Sequence, residues 1–345
     1  MKKILLATSI LAATTGFAAA EITLSGDARM GVVDYGNDAE FSARARLKFT
    51  MSGETDGGLA FGASFRADQA SGAEGGDEDM SAGTVYVSGE FGRFEMGDVV
   101  SAAEAALGDL DGVGYTGLND YSDIPYINGD DGDADSRGAI SLNPVNQGTG
   151  SLFSYSNAGF GFYVGLFDGV SQGLSDNAID AGWTAESVDS DMSYSVALSY
   201  GTDTWSVGLG YLRNGDFSVV DLDGDVVGDD PITRDVDGAE EIILGGSGTF
   251  GATTVKAYYA DFDNWYWENS YGLSVSYEAD ALTFTGFARR DSDVLADLTT
   301  DRADQDSFGI GVGYDLGGGA ALKAGIVDSD WEDDTIFDAG ITMTF

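Results

Sequence analysis

This sequence predicts an all-β fold: a 16-stranded antiparallel transmembrane β-barrel, inferred from three observations. Apolar and polar residues alternate with period two from the segment after Glu21 to Phe345. Tight turns take turns with longer, more acidic connections, so successive segments are joined shortly at one end and at length at the other. The chain opens with the pattern of an export signal, yet it has no cysteine with which an exported fold could be stapled. A sheet in that position must close on itself.

The elements follow in order. MKKILLATSILAATTGFAAA (1–20) has two lysines, an apolar stretch from Ile4 and a small-residue end, and reads as a signal peptide removed before Glu21. Residues 21–345 then form one barrel domain, because neither composition nor period changes along them. In ITLSGDARMGV, Ile22, Leu24, Ala28 and Met30 oppose Thr23, Ser25, Asp27 and Arg29. Beyond DYGNDAE (34–40), Phe41, Ala43, Ala45, Leu47, Phe49 and Met51 oppose Ser42, Arg44, Arg46, Lys48, Thr50 and Ser52. The turn SGETDGG (52–58) leads to Leu59, Phe61, Ala63 and Phe65, opposed by Ser64 and Arg66. Further tight turns fall at 90–94, 156–160, 200–204, 249–254, 277–281 and 314–319. In the last segment Phe337, Ala339, Ile341, Met343 and Phe345 oppose Asp338, Thr342 and Thr344. Seven hairpins plus the first and last segments make sixteen strands, an even number that lets the two ends meet antiparallel. The stretches 221–241 and 289–306 are expected to be long acidic connections.

Composition removes several function classes. After Glu21 no apolar run approaches the roughly 20 residues that a spanning helix needs. With 43% apolar residues, including 19 Phe and 16 Tyr, disorder is excluded despite the formal charge of −43. Such acidity offers no footing for nucleic acid. There is no histidine and no cysteine, so Ser-His and Cys-His arrangements cannot be built. An enzyme would have to work with carboxylates alone, and none is expected.

The scarce cations carry the most information. A Lys or Arg on the lipid face at mid-membrane costs about 2–4 kcal/mol, so Arg44, Arg46 and Lys48 must face the interior. The same alternation turns Arg29 and Arg66 inward, giving a column of five cations on three neighbouring strands. Like charges so placed repel unless something opposes them. From Asp98 to Asp135 the chain carries Asp98, Glu104, Asp109, Asp111, Asp120, Asp123, Asp130, Asp131, Asp133 and Asp135 with no Lys or Arg. This is also the longest break in alternation, and a connection of that length is usually functional. Residues 99–148 are therefore expected to hold a constriction loop, the third loop, folded inward so that its acids face the basic wall.

The segments LSGDARMGV (24–32), FSARAR (41–46), FTMSGETDGGLAFGASF (49–65), FEMGD (94–98), DIPY (123–126), FGATTVKAYYAD (250–261), YGLSV (271–275) and YDLGGGA (314–320) together resemble the general-diffusion porins of the alphaproteobacterial, Rhodobacter type. The likeness extends over essentially the whole chain after the signal, with departures at 127–150, 170–192 and 221–240. It implies a homotrimer of sixteen-stranded barrels in the Gram-negative outer membrane, each with an inward loop as eyelet. By motif match Arg29, Arg44, Arg46 and Arg66 fall on its wall set, and Glu104, Asp109, Asp120 and Asp123 on its loop set. Lys48 joins the wall by alternation and Asp111 the loop by its place in the acidic run. The resemblance also implies that eyelet carboxylates can hold calcium, for which Glu104, Asp120 and Asp123 have suitable oxygens. DGDADS (131–136) and DLDGD (221–225) do not continue as EF-hand loops, since Leu142 stands where the first would need Glu.

The expected function is passive diffusion of small hydrophilic solutes and ions through a water-filled channel, with a modest cation preference from the acidic loops. No cofactor is required, and structural calcium is the one candidate ion. Outer-membrane lipids and lipopolysaccharide are the expected surroundings. Small outward residues, Gly26, Ala28, Ala43, Ala45, Ala63 and Ala67, suit close contact between barrels, while Tyr35, Trp265, Tyr266, Trp267 and Trp331 suit interfacial girdles. The alternative is an exported, calcium-binding β-rich adhesin or surface protein.

Overall fold

A computed structural model describes residues 20–36, 38–67, 83–128, 150–169, 171–172, 185–221, 232–265, 267–295, 302–332 and 334–345. The expected signal peptide lies outside them except for Ala20, as do Tyr266 and the 131–136 acids. The strands are β1 (Glu21–Asp34), β2 (Glu40–Glu54), β3 (Ala60–Arg66), β4 (Thr84–Gly89), β5 (Gly92–Gly97), β6 (Gly150–Asn157), β7 (Phe160–Phe167), β8 (Ser171–Gln172), β9 (Ala185–Ser190) and β10 (Ser193–Gly201). They continue as β11 (Trp205–Arg213), β12 (Phe217–Asp221), β13 (Ile232–Val236), β14 (Glu240–Phe250), β15 (Thr253–Asp263), β16 (Asn269–Ala279), β17 (Leu282–Leu295), β18 (Arg302–Gly317), β19 (Ala320–Ser329) and β20 (Ile336–Thr344). A short helix, α1 (Ala102–Leu107), follows β5.

Sixteen of these strands close into one barrel in the order β1 to β7, β10, β11 and β14 to β20. Closure is antiparallel, with Asp27 opposite Thr344 and Asp34 opposite Phe337. Gly26 and Phe345 exchange backbone hydrogen bonds of 3.2 and 2.9 Å at the end of this seam. All seven expected tight turns join neighbouring barrel strands. At Ala158–Gly159 both turn residues have positive φ, +51° and +86°, the backbone that matches the twist of a two-residue hairpin.

Two sequence expectations need correction. The connections after β7 and β11 are more than loops, because β8, β9, β12 and β13 form a separate four-stranded sheet in the order β13-β12-β9-β8. The stretch 289–306 is largely strand, since β17 and β18 stay paired as far as Leu295 opposite Arg302, with a register shift between Asp291 and Val294. Charged side chains on both faces hide the period there.

Alternation sorts the wall into two faces. Phe41, Phe160, Leu198, Leu244, Ile310 and Leu322 are among the large apolar residues exposed on one face. Their neighbours on the other, such as Ser195, Ser274, Arg289 and Asp338, are buried. Burying polar wall residues requires something packed over them, and the stretch between β5 and β6 supplies it. Three buried apolar clusters each combine wall and stretch: Leu110 and Ile127 with Ile243 and Tyr258, Val113 and Leu118 with Phe287 and Val327, and Val99 and Ala102 with Leu152 and Phe167.

The tryptophans differ from expectation as well. Trp267 is fully buried and makes edge contacts at 6.0 Å with Trp265 and 6.1 Å with Trp331. These rings bind the β15–β16 connection to the β19–β20 connection instead of facing lipid. Exposed Tyr259, Tyr271 and Phe337 near one end of the strands, and Trp205, Tyr277, Phe284 and Tyr314 near the other, have the girdle placement.

Candidate functional site

The expected basic wall is assembled by register. Arg29 pairs across β1–β2 with Arg44, Asp27 with Arg46 and Ser25 with Lys48, while Lys48 pairs across β2–β3 with Arg66. Five cations thus stand on one face of three strands. Asp27, which shares that face, places Oδ2 3.3 Å from Arg44 Nη2, so a wall carboxylate already relieves part of the repulsion. Both partners are partly exposed, which limits the pair to about 1 kcal/mol or less.

Residues 98–128 are shaped locally before they meet the wall. Ser101 caps α1, its Oγ accepting from Glu104 N at 3.0 Å, and four alanines among the helix's six residues favour the turn. Gly108, at φ +62°, ends the helix with its N–H donating to the Glu104 carbonyl. Asp109 Oδ1 accepts from Ile124 N at 2.9 Å, and the Tyr126 hydroxyl donates to the Gly108 carbonyl at 2.8 Å, which folds the stretch back on itself. Burial, and then the nearby Asp109, hold the Tyr126 phenol well above its ordinary pKa, so it remains a donor. Asp120 turns back as well, with its Oδ1 over Gly117 and its N–H on the Gly117 carbonyl.

Among the described residues, side chains of seven strands hydrogen-bond this stretch. Ser195 on β10 accepts from Ala102 N at 2.9 Å. On β14, Glu241 Oε2 accepts from Ile127 N at 3.1 Å. Lys256 on β15 lies 2.9 Å from Asp111 Oδ1 and donates to the Asp109 carbonyl at 2.9 Å. On β16, Ser274 Oγ accepts from Asp111 N and Ser276 Oγ donates to Asp111 Oδ2, at 2.9 and 2.8 Å. Arg289 on β17 donates to the Asp123 carbonyl at 2.6 Å, while its Nε and Nη2 bind Asp291 Oδ1 at 3.0 and 2.8 Å in a fully buried pair. Asp338 on β20 accepts from Tyr115 N, Thr116 N and Thr116 Oγ1 at 2.9, 2.7 and 2.7 Å. Arg29 on β1 closes the series, donating to the Thr116 carbonyl at 2.9 Å.

The sequence-derived residues therefore divide. Arg29, Arg44, Arg46, Lys48 and Arg66 share one wall face, and Glu104, Asp109, Asp111, Asp120 and Asp123 share one stretch. Among the described residues, Asp111 finds its cation in Lys256 and not on β1–β3, and Arg29 meets carbonyls and not carboxylates. Among the described residues no group of three or more acidic side chains is placed to hold a metal ion. Lys256, Arg289, Glu241 and Asp338 were missed from the sequence. Lys256 had a usable signal, since Thr254, Lys256 and Tyr258 alternate within TTVKAYYAD.

A family profile described as Gram-negative porin matches residues 7–334. A porin of Rhodobacter capsulatus is 38% identical over 348 residues, covering 94% of this chain and all of the relative. A porin of Fuscovulum blasticum is 27% identical, covering 77% of this chain and 93% of the relative. A solved porin structure refined at 1.8 Å superposes with a TM-score of 0.70 at 35% identity, covering 94% of this chain and all of that one.

Proposed function

The chain belongs to the Gram-negative porin family and forms a channel as an integral β-barrel of the outer membrane, and from that premise we propose how the channel is narrowed and biased. Residues 98–128 lie inside the barrel as its constriction. The observation that carries this reading is the set of anchors running from Ser195 through Lys256, Arg289 and Asp338 to Arg29, which ties one stretch to strands far around the circumference. A stretch lying outside the barrel cannot reach the buried polar face of all these strands. The remaining arc, β2 to β5, forms the other side of the aperture, with Arg44, Arg46, Lys48 and Arg66 facing the stretch.

Small hydrophilic solutes and ions diffuse through this gap with no chemical step. Its two sides carry unlike charge, which orients dipolar solutes and disfavours apolar ones. The formal charge of −43 concentrates cations at the mouth and gives a modest cation preference, weakened by salt. The working unit is a homotrimer, for which the small residues Ala28, Ala43, Ala45 and Ala63 on β1–β3 give the neighbouring walls room to approach. Calcium, where present, binds the acidic stretch through Glu104, Asp120 or Asp123 after local rearrangement. The adhesin alternative has no support from the relatives. The deciding experiment is single-channel conductance in planar bilayers with graded sugars: deleting 105–120 should raise conductance and admit larger sugars, and an unchanged value would refute the constriction.

A further inference from the structure

Glycines recur on the wall face that meets residues 99–115, and their order around the barrel follows the order of that stretch. A Cβ built on Gly208 of β11 stands 2.7 Å from Leu107 Cδ2, and one on Gly272 of β16 stands 2.7 Å from Leu110 Cδ1. On Gly311 of β18 it meets Val113 Cβ at 2.9 Å, on Gly325 of β19 Gly114 N at 2.4 Å, and on Gly340 of β20 the Met30 carbonyl of the neighbouring strand at 2.6 Å and then the Tyr115 ring at 3.0 Å. Ordinary contact begins at 3.4 Å, so one methyl at Gly325 has to move backbone by about 1 Å. Glycine weakens a strand interior, and its positional meaning there is often the close approach of another backbone. Gly313, two residues along β18 and therefore on the same face, has only Thr283 Cβ within reach, at 3.9 Å.

We propose that this row of glycines is the seat that fixes how far the stretch stands out from the wall, making Gly311 and Gly325 size-determining residues of the channel although they carry no side chain. This rests on the reading that residues 98–128 lie within the barrel. A side chain in the seat lifts Val113 and Gly114 away from β18 and β19 and towards the basic wall, narrowing the gap from a position that no solute touches.

The test compares Gly325→Ala, Gly311→Ala and Gly313→Ala in planar bilayers, with liposome swelling in graded sugars as the second readout. Conductance and the largest permeant sugar should both fall for the first two variants, and Gly313→Ala should match the parent. Heat-modifiable mobility confirms that each barrel folds. If Gly325→Ala does not fold, Gly311→Ala decides, its contact being the looser. Parental conductance in the folded seat variants overturns the proposal. Because the chain has no cysteine, a Val113→Cys, Gly311→Cys pair tests placement separately. Its Cβ atoms are close enough to bridge after a small relaxation from 2.9 Å towards the usual ~3.8 Å. A disulfide combined with parental conductance of the seat variants removes the seat alone, whereas a pair that stays reduced under oxidant removes the placement and the seat with it.

Discussion

Replacing Arg289 by Met should be among the costliest single substitutions in the wall. The guanidinium and Asp291 are each about 1% exposed, and the pair is extended by Ser270 Oγ, which donates to Asp291 Oδ1 at 2.6 Å, and by the Tyr258 hydroxyl, 2.8 Å from Ser270 Oγ. Met roughly fills the space but strands a buried carboxylate, and breaking a buried ion pair from one side costs about 3–5 kcal/mol. Within that figure, the partly buried Asp123 carbonyl loses its 2.6 Å donor, worth about 1 kcal/mol. The assay is guanidinium unfolding of barrels folded into lipid vesicles, compared at equal slope so that the midpoint reports stability. Arg289→Met with Asp291→Asn removes the stranded charge and should recover at least about 1 kcal/mol over the single variant. A single variant within about 1 kcal/mol of the parent, or a double variant no more stable than the single, would refute the argument that this pair is a desolvated clamp.

Three further outcomes are expected. Lys256→Gln removes an interior cation while keeping a donor near Asp111, so the reversal potential in a salt gradient should move towards stronger cation preference, and movement towards anions would count against the assignment. In the parent channel the same measurement should show a modest cation preference that shrinks at high salt, and anion preference would contradict the charge argument. Calcium titrated into the folded protein should raise its thermal transition if Glu104, Asp120 and Asp123 hold an ion, and a transition that does not move removes the structural-calcium proposal.

The fold was legible where one face is apolar and the other small or polar. Phe41 to Met51 and Phe337 to Phe345 announce their strands because lipid demands every second residue. Legibility failed at β17–β18, where Arg289 and Asp291 pair on one face while Arg290 binds Asp306 on the other, leaving no apolar set to mark the period. It failed again for β8, β9, β12 and β13, which pair with one another outside the barrel and need not alternate for lipid. The shared face of the five cations on β1–β3 was readable because the alternative, a charge in hydrocarbon, is so costly. The partners were not, since Arg29 is met by the carbonyl of Thr116 and Arg289, itself missed, by that of Asp123, and a carbonyl belongs to every residue alike. The distant pairing of Asp111 with Lys256 likewise depends on a chain path that no local pattern encodes.

Trp265, Trp267 and Trp331 account for three of the five tryptophans in the chain, and they meet at one end of the barrel. Trp331 packs against two of the buried clusters at once, so the group touches both Ile127 and Leu118 neighbourhoods. The protein consequently carries its own optical probe: three indoles meet at one place, Trp267 fully buried and Trp265 and Trp331 partly so, where quenching and wavelength respond to the admission of water. Loosening of the mouth, whether by voltage, denaturant or an altered wall, should register as a red shift in unlabelled protein before the strands themselves come apart.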